Sequence, residues 1–178
     1  AMFITMMADA TAFSGLVFGY YFFWTVHPEF PPSGPRMDGP GSFWPMVALA
    51  LAALSWGATV AARGTNRRGI VGTARLLLVF GIAARLAGIW AGLQGPLTTG
   101  LDPELHSYPA IVWVLVIWTT AHAGVGAIMQ AYTLARSIAG RMTPTHDADL
   151  RNITVYQHFM ALTAIVTYAT IGLFPGVA

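Results

Sequence analysis

The feature that most constrains this chain is a series of five apolar stretches, each long enough to cross a lipid bilayer. A hydrocarbon core of about 30 Å is spanned by about 20 helical residues. Inside lipid, backbone polar groups must be satisfied within the protein, and the stretches lack the alternation of barrel strands, so each is predicted to be a helix. The predicted spans are residues 2–26, 43–62, 70–93, 109–137 and 153–174.

Composition agrees with a membrane setting. The 178 residues are 56% hydrophobic and only 9% charged, whereas a soluble domain carries about 25% charged residues. A soluble fold of this size could not bury so much apolar surface, so lipid must be part of its solvent. The lack of cysteine excludes disulfides, thiolate metal sites and iron–sulfur clusters. Residues 1–178 are therefore predicted to form a single all-α integral membrane domain, a five-helix bundle.

The distribution of arginine predicts the orientation of the chain. All nine basic residues are arginines spread between apolar runs, which indicates membrane topology and not a nucleic-acid surface. They are concentrated in the second and fourth connections and their flanks, at Arg63, Arg67, Arg68, Arg75, Arg136, Arg141 and Arg151. The first connection has one arginine beside two acids, and the third has acids alone. By the positive-inside rule, the N-terminus is predicted to be cytoplasmic and the C-terminus outside.

Four ionisable side chains fall within the predicted spans: Asp9, Arg85, His122 and His158. A charge at the centre of a span costs about 2.5–3.5 kcal/mol on insertion scales, so each of the four needs a reason. Counting along the helices puts Asp9 in the cytoplasmic third and His158 one or two turns in from the same side. The two side chains could therefore share a depth and form a proton-exchanging pair. The alternative is that each one hydrogen-bonds a neighbouring helix.

The two histidines also raise the question of a b-type haem. His122 lies about 21 Å from the cytoplasmic end of its span and His158 about 9 Å from its own. Axial ligands of one haem need nearly equal depth, so this spacing argues against a shared haem. Arg85 lies two turns below the outer end of its span, where it could snorkel to the headgroups or bind a lipid phosphate. Arg67 and Arg68, in the second connection, are further lipid-headgroup candidates.

Taken in order, these residues resemble the last five helices of cytochrome c oxidase subunit III. Residues 3–16 read FITMMADATAFSGL, and Asp9 falls where the family carries an intramembrane carboxylate, usually Glu. Residues 119–126 read TTAHAGVG before Arg136, similar to a histidine-bearing stretch of the family's next-to-last helix. The final helix contains Gln157-His158-Phe159, where the family usually has Trp-His-Phe. Residues 100–103 and 107–113, GLDP and SYPAIVW, look most like oxidases in which subunits I and III are fused.

The resemblance implies a non-catalytic role in a respiratory haem-copper oxidase of the bacterial inner membrane. In that family, subunit III supports assembly, binds phospholipid and sustains proton uptake. Haem and copper would lie in the partner subunits I and II, and none in this chain. Fusion to an upstream subunit I would also account for a sequence that begins inside an apolar stretch, without a starting Met or a signal-peptide pattern.

Other functions remain open at this point. A quinol oxidase subunit and the accessory membrane protein of nitric oxide reductase share the fold that the resemblance implies. A small transporter or a membrane scaffold represents another class, although a transporter should show inverted repeats and broken helices, and the sequence has neither. A b-type cytochrome would be recognised by an absorption spectrum of the isolated chain.

Overall fold

The computed structural model describes residues 2–27, 29–37 and 39–173. This part of the chain forms five helices: α1 (Met2–Val26), α2 (Phe43–Arg67), α3 (Val71–Thr98), α4 (Ser107–Ile138) and α5 (Ala148–Gly172). The all-α prediction is confirmed, and each predicted span lies largely within one of these helices. Phe174, the last residue of the fifth predicted span, lies outside the described residues.

The helices extend beyond several of the predicted spans. Helix α2 continues five residues past the predicted end at Ala62, and α5 begins five residues before the predicted start at Ile153. Hydropathy marks only the apolar part of a helix, whereas hydrogen bonds and end contacts decide where it stops. Helix α3 likewise continues through Pro96 to Thr98.

Four of the five helices, α1 to α4, are long and apolar enough to cross a membrane. The chain thus has the architecture of a multi-pass helical membrane protein. Helix α5 has 25 residues, as many as α1 and α2, but it is not among these four, because polar residues occur along its whole length. Its polar side chains are turned inward, and Thr154, Gln157, Thr163 and Thr167 are all buried against the other helices.

Helices α2, α3, α4 and α5 form the body of the bundle. Helix α2 packs against α3 and α5, and α4 packs against α3 and α5. Helix α1 lies on the outside, in contact with α4 and more narrowly with α5. Only Phe13 and Tyr20 of α1 are buried, and most of its apolar side chains face outward. Such a helix is solvated by lipid or by a partner on most of its surface.

Charged pairs tie the connections together at each end of the bundle. The second and fourth connections meet where Asp147 accepts hydrogen bonds from Arg63 Nε and Arg67 Nε, both at 3.1 Å. The first and third connections meet through Arg36 and Asp102, whose charged atoms are 3.1 Å apart. The arginine-rich connections therefore share one end of the bundle, as the orientation argument requires; the cytoplasmic side remains a prediction.

Asp147 gives the bundle a pH-dependent contribution to stability. Burial raises the pKa of its carboxyl, but hydrogen bonds and charges of Arg63 and Arg67 outweigh burial, so the pKa lies below its ordinary value of 3.8. A depressed pKa stabilises the fold above the unfolded-state value, and this stabilisation is lost as the pH falls through the folded-state value. Asp147→Asn should therefore lower the free energy of unfolding by about 1 kcal/mol at pH 7, after discounting for solvent screening.

Urea or detergent-induced unfolding of both proteins from pH 7 down to pH 2 measures this effect. The two stability curves should converge at acid pH, where the wild-type carboxylate is protonated as well. Asp102→Asn is the matched control, because its partner Arg36 is 63% exposed and an exposed pair contributes about 0.5 kcal/mol. A constant difference between wild type and Asp147→Asn at all pH values would contradict the assignment.

Candidate functional site at the contact of α1 and α4

Asp9 and His122 face each other where α1 crosses α4. The Oδ2 atom of Asp9 lies 3.6 Å from Nε2 of His122, and the side chains are 25% and 20% exposed. This distance is within ion-pair range but longer than a direct hydrogen bond. A small movement of either side chain would form the hydrogen bond. The pairing of Asp9 with His158 suggested by their depths is thus wrong: the partner of Asp9 is the histidine of α4.

The tautomer of His122 follows from its other contact. Its Nδ1 lies 2.8 Å from the carbonyl oxygen of Trp118, one turn earlier in α4. A carbonyl only accepts hydrogen bonds, so Nδ1 carries a hydrogen and donates it. In a neutral His122, Nε2 therefore presents a lone pair toward the carboxylate of Asp9.

Aromatic rings complete the surroundings of this pair. The indole of Trp118 stacks on the imidazole of His122, with ring centroids 4.4 Å apart and planes inclined by 29°. A stacked indole stabilises an imidazolium by a cation–π interaction. The hydroxyl of Tyr156 on α5 donates to the backbone carbonyl of His122 at 3.0 Å, which holds α5 against the same turn of α4. These contacts hold the imidazole of His122 in place beside the carboxylate of Asp9.

His158 lies in a different environment. Its Nδ1 is 2.6 Å from the carbonyl oxygen of Thr154, and its ring packs edge-on against Trp56 of α2, at a centroid distance of 5.7 Å. No carboxylate lies within ion-pair distance of it among the described residues. His122 and His158 thus contact different helices. In the described part of the chain, no three His, Cys, Asp or Glu side chains come together in a metal-binding group.

Arg85 occupies the interior of the bundle. It is 2% exposed, and its Nη2 donates a hydrogen bond to Oε1 of Gln157 on α5. The expectation that Arg85 snorkels to the headgroups or binds a lipid phosphate is wrong, because helix packing shields the guanidinium from the lipid-facing surface. The sequence did not predict this burial, because neither hydropathy nor position along one helix shows which way a side chain faces. By contrast, Arg67 and Arg68 are exposed at the second connection, where their role toward lipid headgroups stays a prediction.

A second buried polar group was not anticipated from the sequence. Gln130 of α4 is fully buried and donates through Nε2 to the hydroxyls of Ser55, at 3.2 Å, and Thr59, at 2.8 Å, on α2. The amide and the two hydroxyls tie α2 to α4 at the place where Gly81 of α3 leaves room for them. The helical spacing of Ser55 and Thr59, four residues apart, was the available signal.

Together, the fold and the buried polar contacts define a multi-pass helical membrane protein with a carboxylate–histidine pair at a helix contact. Comparison of the sequence with protein-family models and with curated proteins finds no match. The class of protein therefore follows from the structure, and the family resemblance stays a prediction.

Proposed function

We propose that this chain is the non-catalytic, subunit III-like part of a respiratory haem-copper terminal oxidase in a bacterial inner membrane. The order and spacing of the motifs around Asp9, His122 and His158 support this assignment. In the proposal α5 is the fifth span, since its polar residues are turned inward. The N-terminus is cytoplasmic, and the arginine-rich end faces the anionic headgroups of the inner leaflet.

The observation that carries the proposed role is the contact between Asp9 and His122. A partly exposed carboxylate beside an imidazole whose Nδ1 is already donating can take up one proton and release it again. Such a pair suits a subunit that supplies protons to a partner, since it moves no electrons and needs no cofactor of its own. Subunit I, fused upstream or separate, and subunit II would hold the haem and copper.

Replacing Asp9 by Asn tests this role in the assembled oxidase. Asn keeps the size of the side chain but cannot hold the proton, so proton supply should become limiting when protons are scarce. We expect Asp9→Asn to inactivate several-fold faster than wild type during turnover at high pH, with little difference at low pH. His122→Asn should behave in the same way, and the double variant should be no worse than either single variant, because the two residues act as one unit.

His158→Asn is the matched control. His158 makes the same Nδ1 contact with a carbonyl one turn earlier but has no carboxylate partner among the described residues, so its replacement should leave the inactivation rate unchanged. Equal inactivation rates for Asp9→Asn and wild type would reduce Asp9 to a packing residue. Oxidation of cytochrome c or of quinol by the purified complex separates a cytochrome c oxidase from a quinol oxidase.

A further inference from the structure

A groove opens at the arginine-rich end of the bundle, where α1 and α5 begin and α4 ends. Residues from all three helices line it, among them Met2, Met129, Thr133, Asp149 and Asn152. Its volume is about 340 Å³. A water molecule takes up about 30 Å³ of the liquid, so the groove has room for several waters.

The entrance of this groove is polar. The side chain of Asn152 is exposed, and Oδ2 of Asp149 lies 3.0 Å from Nε of Arg136. The hydroxyl of Thr133 donates to the carbonyl oxygen of Met129, and its oxygen still accepts hydrogen bonds from water. These groups favour water over acyl chains at the entrance, because polar side chains lose hydrogen bonds in an apolar environment.

The groove and the Asp9–His122 pair lie on the same face of α1 and on the same face of α4. Residues three, four or seven positions apart share one side of a helix. Met2 and Met6 precede Asp9 at this spacing on α1, and Met129 follows His122 by seven residues on α4. Seven residues also separate Met2 from Asp9, so the pair lies about 10 Å beyond the groove along both helices.

Helix α5 continues from the groove toward the same pair. Asp149, Asn152 and Tyr156 follow one another at intervals of three and four residues, so they lie on one face of α5. The hydroxyl of Tyr156 donates to the backbone carbonyl of His122 at 3.0 Å. The three helices therefore form one seam, which leads from the groove to the pair.

Two methionines lie along this seam between the groove and the pair. Met6 and Met129 are partly buried and pack against the buried cluster that contains Ile153 and Tyr156. An unbranched methionine side chain has three rotatable bonds and adapts to changes around it. Because α1 is apolar enough to cross a membrane, a carboxylate at Asp9 that exchanges protons needs a route to water.

We propose that this seam is the proton entry of the Asp9–His122 pair. Water fills the groove from the arginine-rich end, and movement of Met6 and Met129 lets a proton pass from this water to the carboxylate of Asp9. The proton role rests on the function proposed above, whereas the access of water to the seam can be measured on the purified protein.

Single cysteines measure this access, because the chain has no cysteine of its own. A methanethiosulfonate that bears a sulfonate reacts with a thiolate, which forms in water and is disfavoured in apolar surroundings. In nanodiscs, Met6→Cys and Met129→Cys should be labelled at least about tenfold faster than Met7→Cys. Met7 is the matched control, since it neighbours Met6 but is 53% exposed on the opposite side of α1.

Asn152→Cys, at the entrance, verifies that the reagent reaches this end of the bundle. Fast labelling at Met6→Cys and Met129→Cys supports a water-filled seam, and either variant is sufficient if the other fails to fold. If Asn152→Cys is labelled but both seam cysteines react as slowly as Met7→Cys, water does not reach the pair by this route and the proposal is wrong.

The assembled oxidase tests the proton role. Met129→Cys carrying the label should inactivate at high pH as fast as Asp9→Asn, because the label fills the seam, and labelled Met7→Cys should behave like wild type. If labelled Met129→Cys also behaved like wild type while Asp9→Asn inactivated faster, the pair would receive its protons elsewhere. If Asp9→Asn itself behaved like wild type, the function proposed for the pair would fall, and with it the proton role of the seam.

Discussion

Replacing Gln157 by Leu is expected to destabilise the folded bundle by about 3 kcal/mol. The substitution removes the side chain that accepts a hydrogen bond from Arg85, and it leaves the guanidinium buried beside an apolar group. Losing the partner of a buried charged group costs more than losing a neutral hydrogen bond, because the charge stays desolvated. Equilibrium unfolding in mixed detergent micelles, followed by circular dichroism, measures the change in free energy of unfolding.

A double-mutant cycle separates the lost contact from a simple packing defect. The double variant Arg85→Met/Gln157→Leu replaces both polar partners by apolar side chains. Such a replacement often changes the free energy of unfolding only slightly. We therefore expect the double variant to be more stable than Gln157→Leu alone. If the two destabilisations simply add, Arg85 and Gln157 do not depend on each other, and the buried contact has no energetic role.

Replacing Gly92 by Ala is expected to destabilise the bundle by about 2 kcal/mol. A Cβ atom at this position would overlap the hydroxyl oxygen of Tyr168 and come within 3.3 Å of the Cγ2 atom of Thr120. Tyr168 is 3% exposed, so its ring cannot move aside without disturbing the core. Overpacking of this kind typically costs about 1–3 kcal/mol. The same unfolding assay measures the cost.

Tyr168→Phe provides the matched background for this substitution. Removing the hydroxyl oxygen takes away the closest clash, so Gly92→Ala should cost clearly less in the Tyr168→Phe protein than in wild type. Gly124→Ala is a second control, since a Cβ at Gly124 would meet no atom within 4 Å. An equal cost of Gly92→Ala in both backgrounds would show that helix α3 itself, and not the contact with Tyr168, opposes the side chain.

The position of Asp9 shows how far sequence reasoning reached at the candidate site. The cost of an ionisable group in lipid indicated that Asp9 needs a polar partner, but depth arithmetic matched it with His158, whereas the structure pairs it with His122. The depth of each residue was counted from the end of its own helix, as though all helices ended at the same depth in the membrane. Helix α4 has 32 residues, about 48 Å, and exceeds α1 by seven residues. Its end therefore need not lie level with the start of α1.

Arg85 shows a second limit of sequence reasoning, which concerns the direction in which a side chain leaves its helix. Position along α3 places its Cα near the outer end of the span, which suggested contact with headgroups. The direction in which the side chain leaves the helix depends on the rotation of α3 against α2 and α4, and one helix's sequence does not encode that rotation when it is apolar on every face. Packing turned Arg85 inward, and Gln157 on α5 then became its partner.

By itself, the sequence determined the number of helices, their approximate spans and the pairing of connections at each end, because continuous apolar runs leave the backbone no alternative in lipid. Only the tertiary structure decided that Asp9 meets His122 and that Arg85 lies buried beside Gln157. Those contacts join residues more than 70 positions apart in the chain, and they depend on how the helices rotate and slide against one another. Side-chain packing between helices, and not the hydropathy of any one of them, sets that geometry.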